Sequence, residues 1–213
     1  IVSTSGTAKL LGDSGIRIKT IEEITNSPEV LGGRVKTLQY QIFAGILADR
    51  NNPDHLKDIT RHGFKSFDLV CVSLYPFKET IKKPGCTIEE AIKQIDIGGV
   101  SLIRAAAKNY SNLSVIIDPA QYGLYLESLE NKKNINALLA ADAFEYIAYY
   151  DISISNYFRS ITGERSGIFD IYYNNSTELR YGENPHQKST LFNVGAPGFE
   201  QIFEKLHGKE LSY

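Results

Sequence analysis

Methionine is absent from the 213 residues, and cysteine occurs only twice, at Cys71 and Cys86. Two cysteines cannot build the disulfide framework of a small secreted protein. A chain of this length buries about 70% of its unfolded surface, so it folds on its apolar core without staples. Cys71 stands in an apolar strand pattern and Cys86 in a loop after Pro84-Gly85, which predicts reduced thiols in a cytoplasmic protein. No apolar run approaches the roughly 18 residues of a membrane span. No charged-then-apolar leader opens the chain, so neither insertion nor secretion is expected. A basic excess is missing too: 23 Lys and Arg against 25 Asp and Glu leave a net charge of −2. That balance excludes a strongly basic nucleic-acid binder and a polyacidic tail, though not a local basic pocket. The four histidines lack zinc-ligand spacing, and there is no P-loop, nucleophile elbow or dinucleotide-binding glycine fingerprint, so no metal is expected. With no methionine and a strand-like opening at Ile1-Val2, the sequence reads as a piece of a longer protein whose first elements lie upstream.

What is present is an alternation of strand and helix patterns. Strands are expected at 1–4, 16–20, 68–74 and 113–118, the third almost wholly apolar and so covered on both faces. Helices are expected at 7–11, 54–63, 87–95, 100–109, 120–130 and 134–158, with a short helical turn at 27–31. Thr87 and Glu90 form a capping box for the third of these helices. This order predicts an α/β fold, a three-layer domain with a parallel sheet. Beyond residue 160 Gly, Asn, Ser and Tyr become frequent and segments become short. The expected organisation is a domain over 1–165, a linker over 166–178 and the start of a second unit over 179–213.

Ligands of parallel α/β sheets bind beyond the carboxyl ends of the strands, so the residues following each strand are the candidates. Ser3-Thr4-Ser5-Gly6-Thr7 runs into a helix and has the hydroxyls, glycine and free N–H groups of an anion cradle, or simply of a helix cap. Gly32-Gly33-Arg34-Val35-Lys36-Thr37 combines two glycines with two cations, which an extended segment would place on one side; the plain alternative is a solvated basic loop. Ser73-Leu74-Tyr75-Pro76 could aim the Tyr75 hydroxyl into the cleft or pack it at the sheet rim. Asp96-Ile97-Gly98-Gly99 precedes a helix that carries Arg104 and Lys108 on one face among three alanines. A lysine beside small apolar side chains suits acid–base chemistry, whereas a surface pair at a helix C-terminus is the ordinary reading. Together these residues describe a pocket for a phosphorylated small molecule with acid–base groups at its far end.

The same stretches, in order, resemble the AICAR transformylase/IMP cyclohydrolase family of purine biosynthesis. Residues 3–9 resemble its Ser-Thr-Gly-Gly-Thr-Ala-Lys turn, and residues 32–38 its Gly-Gly-Arg-Val-Lys-Thr-Leu loop. Residues 73–77 resemble its Asn-Leu-Tyr-Pro-Phe strand end, and residues 95–109 its Ile-Asp-Ile-Gly-Gly segment with the Ile-Arg-Ala-Ala-Ala-Lys-Asn helix. Residues 179–187, Leu-Arg-Tyr-Gly-Glu-Asn-Pro-His-Gln, are similar to the signature that opens its transformylase half. The resemblance implies a methylglyoxal-synthase-like domain followed by the beginning of a cytidine-deaminase-like one. It implies ring closure of 5-formamidoimidazole-4-carboxamide ribonucleotide to IMP, without metal or cofactor. The longer protein would transfer the formyl group from 10-formyltetrahydrofolate as a homodimer.

By resemblance, Thr4, Ser5, Gly6, Thr7, Arg34 and Thr37 hold phosphate and ribose, Ser73, Gly98 and Gly99 border the substrate, and Lys36, Lys108, Tyr75 and Asp96 perform proton transfers. Arg180 and Tyr181 belong to the transformylase site. Ser73 stands where the family has Asn, Gln39-Tyr40 where it has His-Pro, and Ser5 where it has Gly. The family's Ser-Val-Ser-Asp-Lys turn and its transformylase Lys-His pair would lie outside this piece. A phosphate- or nucleotide-binding module of the same fold, without catalysis, is the alternative; it needs the phosphate turn but not the acid–base set. A remnant that serves only dimerisation is a third reading, which binding of IMP would count against.

Overall fold

The computed structural model describes residues 1–164, 173–194, 206–209 and 211. The chain divides into two compact units, Ile1–Tyr157 and Phe158–Tyr213.

The first unit has two parallel strand pairs and a surround of helices. Strand β1 (Val2–Ser3) pairs with β2 (Lys19–Thr20), with Val2 opposite Lys19. Between them runs α1 (Ser5–Asp13). Strand β3 (Leu69–Cys71) pairs with β4 (Ser114–Ile116) in the register Val70 opposite Val115. Such parallel pairs require crossovers. The β3–β4 crossover contains α5 (Phe77–Ile81), α6 (Ile88–Lys93) and α7 (Gly98–Lys108). Before β3 come α2 (Ile21–Thr25), α3 (Tyr40–Leu47) and α4 (Pro53–His62). After β4 come α8 (Gln121–Glu130) and α9 (Asn136–Thr162).

The core takes one stripe from each of α3, α7 and α9. Helix α7 buries Ile103, Ala106 and Ala107, positions that share a face at i, i+3 and i+4, and α9 buries Leu139, Ala143, Ile147 and Tyr150. Phe77, Ile103, Leu139, Ile147 and Val115 are the largest fully buried side chains among the described residues.

Several local expectations change. The strand expected at 16–20 pairs only at Lys19–Thr20, and the 68–74 strand only at Leu69–Cys71, extended by one bond at each end, from the Ser114 N–H to the Asp68 carbonyl and from the Val72 N–H to the Ile116 carbonyl. Three helices were not foreseen, α2, α3 and α5. Helix α2 starts where the Thr20 hydroxyl accepts the Glu23 N–H and stops at Asn26, in the left-handed region at φ 53°. Helix α3 carries its apolar face at Ile42, Gly45 and Ile46. The helix expected at 7–11 extends from Ser5 to Asp13, straight through Gly12.

In the second unit β5 (Tyr173–Glu178) pairs antiparallel with β6 (Thr190–Val194). The stretch expected as a linker, 166–178, therefore ends in a strand; its residues 166–172 lie outside the described residues.

Candidate active site

Asp96 stands between the end of α6 and the start of α7, and its carboxylate ties together two segments that follow secondary-structure ends. One oxygen accepts the Gly99 N–H at 2.7 Å, which caps the first turn of α7, and the carboxylate also accepts the Tyr75 N–H from beyond β3. Burial pushes the Asp96 carboxyl up from its ordinary value, opposed by the N–H groups of Gly99 and then Tyr75. A proton is thus held here more readily than on a solvated aspartate.

The glycine pair is required by this packing. A Cβ on Gly99 would lie 2.6 Å from the second Asp96 oxygen and 2.9 Å from a Leu74 methyl, and one on Gly98 would lie 2.7 Å from the Thr37 hydroxyl. The loop carrying Lys36 and Thr37 therefore abuts the start of α7. That loop is turned, not extended as one reading of the sequence had it. A 3-10 turn at Leu31–Gly33 brings Val30 against Val35, and Leu31, Gly32 and Gly33 all have positive φ. Arg34 consequently faces solvent, while half-buried Lys36 folds back over Gly33 to pair with Glu29 at 3.0 Å. A Cβ on Gly33 would meet the Lys36 side chain at 2.7 Å, so glycine is what admits this fold-back.

Of the other expected residues, Thr4 precedes α1 with extended backbone and makes no side-chain cap bond, so its hydroxyl leaves the N–H groups of the first turn uncapped. Gly6 and Thr7 are exposed in that turn; the side chain of Ser5 lies outside what is described. Ser73 is exposed after β3, and Tyr75 is 54% exposed.

Lys108 is the last residue of α7. At about 1.5 Å per residue, α7 sets it roughly 15 Å along the axis from Gly98, in the turn that Asp96 caps. Lys108 instead borders a cavity of about 800 Å³ lined by residues of α3, α7 and α9, among them Phe43, Leu47, Arg104 and Phe144. The Arg104 guanidinium lies over the Phe144 ring at 5.7 Å. The structure thus brings Thr37, Tyr75, Asp96, Gly98 and Gly99 together and leaves Lys108 apart.

In the second unit Arg180 lies over the Tyr181 ring at 5.0 Å, and its N–H donates to the Leu211 carbonyl at 3.0 Å. The adjoining Asn184-Pro185-His186-Gln187 turn closes on itself through the Gln187 N–H to the Asn184 carbonyl at 2.9 Å and the Asn184 N–H to the Gln187 side chain at 2.8 Å.

Two residues of the site escaped sequence reasoning. The Tyr150 hydroxyl accepts the Asp96 N–H and donates to the Gln94 carbonyl, each at 2.8 Å. Tyr146, one turn earlier on α9, accepts the Leu74 N–H. Burial pushes both phenols up, Tyr150 to about 12. The only signal in the sequence was a pair of tyrosines four apart in the last long helix. Among the described residues no group of three or more His, Cys, Asp or Glu could hold a metal ion, and no helix is long and apolar enough to cross a membrane.

Comparison with known proteins adds to this geometry. The family model described as AICARFT/IMPCHase bienzyme matches residues 106–213, and that of the MGS-like domain matches residues 1–101. The chain is 44% identical over 220 residues to the bifunctional purine biosynthesis protein PurH of Bacillus subtilis (strain 168), a match covering 100% of this chain and 43% of that protein. It is 43% identical over 222 residues to the protein of the same name from Chlorobium phaeobacteroides, again covering 100% of this chain and 43% of the relative. The chain thus spans less than half the length of these curated relatives. Among solved structures, the crystal structure of ForH superposes with a TM-score of 0.66 at 32% identity, covering 77% of this chain and 86% of that one.

Proposed function

The chain belongs to the AICARFT/IMPCHase bienzyme family, and from that premise we propose that its residues 1–165 form an IMP cyclohydrolase. The substrate is 5-formamidoimidazole-4-carboxamide ribonucleotide. Its carboxamide nitrogen attacks the formyl carbon of the same molecule. A C–N bond forms and the former formyl C–O bond breaks; the departing oxygen takes one proton from the carboxamide nitrogen and one from the formamide nitrogen, which becomes the C=N of the new ring, and leaves as water to give IMP.

An intramolecular attack gains most from being held in a reactive conformer, and then from donors to the developing oxyanion and a proton carrier for the departing water. The observation that carries the reading is Asp96, a carboxyl with a raised affinity for its proton, fixed by the Gly99 and Tyr75 N–H groups and packed against a glycine pair that leaves no room for a Cβ. In this reading Asp96 shuttles the proton, with Tyr75 and Lys36 around the base. Thr4, Ser5, Gly6, Thr7, Arg34 and Thr37 hold the phosphate and ribose, and Ser73, Gly98 and Gly99 line the substrate. Lys36 reaches the base by exchanging Glu29 for the ligand. Lys108 contributes only where its side chain leans back along α7 or the ligand spans the interval.

The step uses no cofactor. The longer protein would also carry formyl transfer from 10-formyltetrahydrofolate, with Arg180 and Tyr181 on that side of a cytoplasmic homodimer, and residues 179–213 opening that domain. The distance of Lys108 from Asp96 is what favours the second reading, a phosphate- and nucleotide-binding module without chemistry. Ring closure decides between them. With the formylated carboxamide ribonucleotide supplied, IMP should form and be followed by absorbance. Lys36→Ala should lower the rate by about a hundredfold or more, the scale of a lost acid–base group. IMP binding without IMP formation would establish the module instead.

A further inference from the structure

We propose that Tyr150 is a positioning residue for Asp96: its hydroxyl, accepting the Asp96 N–H and donating to the Gln94 carbonyl, pins the approach to α7 onto α9. The proposal rests on the cyclohydrolase reading for the meaning of Asp96, and on geometry alone for the pin.

A buried phenol is costly to desolvate unless its hydroxyl is paired. Tyr150 is buried, and its single hydroxyl uses both its donor and its acceptor on peptide groups two residues apart, across 54 and 56 positions of sequence. Its ring is fixed edge-on against fully buried Phe77, with centroids 6.3 Å apart. Tyr146, on the same face of α9, accepts the Leu74 N–H. The two tyrosines therefore hold the two segments, 74–75 and 94–96, that the Asp96 carboxylate itself bridges through the Tyr75 and Gly99 N–H groups. Neither packing nor helix capping calls for both hydroxyls, since phenylalanine would fill the same volume. What they determine is where the Asp96 carboxyl stands relative to the glycine surface.

The titratable groups facing this pin are Asp96, Tyr146 and, on α9, Asp151, with Glu79 on α5 and Asp118 beyond β4 facing Tyr146. The Gly99 and Tyr75 N–H bonds favour the charged carboxylate. Releasing the pin loosens those bonds and raises the pH at which Asp96 gives up its proton.

The test is Tyr150→Phe in the full chain, which keeps the ring and removes the hydroxyl. Turnover should fall by about tenfold to a hundredfold with KM within about twofold, the scale expected when a reacting group is misplaced. The acid limb of the pH–rate profile should move to higher pH. The Asp96 carboxyl, titrated by carbon NMR without substrate, should move the same way. A variant with reduced melting temperature but unchanged turnover and unchanged Asp96 titration would overturn the proposal, because a merely structural tyrosine moves only stability. If the wild-type chain closes no ring, the functional reading falls, and the Asp96 titration still decides the pin. If Tyr150→Phe does not fold, hydrogen exchange at the wild-type Asp96 amide decides it: slow exchange is expected, and exchange at the rate of an open loop would overturn it.

Discussion

At the scale of single residues, the site depends on where side chains are missing. Gly99 leaves room for the Asp96 carboxylate that caps its own helix, and the nearest contact of an added methyl would be that carboxylate at 2.6 Å. Gly99→Ala should therefore destabilise the chain by about 1–3 kcal/mol, as overpacking does, and abolish ring closure by displacing Asp96. Gly123 in α8 is the control, because a Cβ there would meet nothing within 4 Å. Gly123→Ala should stabilise by about 0.5–1 kcal/mol through helix propensity and leave activity unchanged. Urea unfolding of both variants, read beside the ring-closure rate, checks the pair; a Gly99→Ala protein with normal turnover would show that the carboxylate has freedom the geometry denies it. The glycine pair, Asp96 and the two-cation loop were legible because each is a local pattern: a carboxylate before a helix, or glycines beside charge. Tyr146 and Tyr150 were not, because their bonds join positions more than 50 residues apart and nothing local distinguishes them from core tyrosines. The separation of Lys108 from Asp96 was legible as helix rise, while the fold-back of Lys36 onto Glu29 depended on three successive positive φ values that include a leucine.

At the scale of elements, what the sequence announces is punctuation. Helix α4 has Asn52 accepting the Asp54 and His55 N–H groups, Pro53 in its first turn, Arg61 and His62 in its last and left-handed Gly63 closing it. None of its residues is fully buried, so its ends matter more to it than its packing. Asn52→Ala should cost about 1 kcal/mol of stability, and Asn52→Asp almost none, since an aspartate accepts the same bonds and suits the positive end of the helix. Thermal melts of the two variants test this, and equal loss in both would show that the cap contributes through something other than its acceptor. Elements with such signals, α4 and α6 among them, were expected close to their observed bounds. Helix α3 lacks them: Gln39 makes no side-chain cap bond, and Ala48 ends the helix in extended backbone. It forms because Ile42, Gly45 and Ile46 are buried, which is tertiary context overriding weak local preference. The short strands failed in the other direction. Apolar runs mark the whole 68–74 segment as buried, but its cross-strand bonds reach only from Asp68 to Val72, and Ser73 lies exposed.

At the scale of the whole molecule, every buried hydrophobic residue of the main core cluster lies between Ile21 and Tyr150, and every candidate cyclohydrolase residue, from Thr4 to Lys108, lies within the same unit. The positioning tyrosines on α9 lie there too. A polypeptide of residues 1–164 should therefore fold by itself, melt in one cooperative transition and bind IMP, with the candidate pocket complete as far as this chain contains it. Ligand that binds only the folded state stabilises it by about 2.7 kcal/mol at a hundredfold excess over Kd. For a chain of this size each kcal/mol shifts the melting temperature by about 2–4 °C. Saturating IMP should accordingly raise the melting temperature of 1–164 by about 5–10 °C, and by the same amount in the 213-residue chain. An equal shift in both locates the nucleotide site in the first unit. A shift confined to the longer chain would mean that residues after 164 complete the pocket, and would overturn the assignment of ring closure to the first unit alone. Lys36→Ala in the 1–164 piece sharpens the result: as a binding and proton-transfer group beside the base it should reduce the shift, whereas Lys57→Ala, on exposed α4 and paired with Asp54 one turn away, should leave it intact.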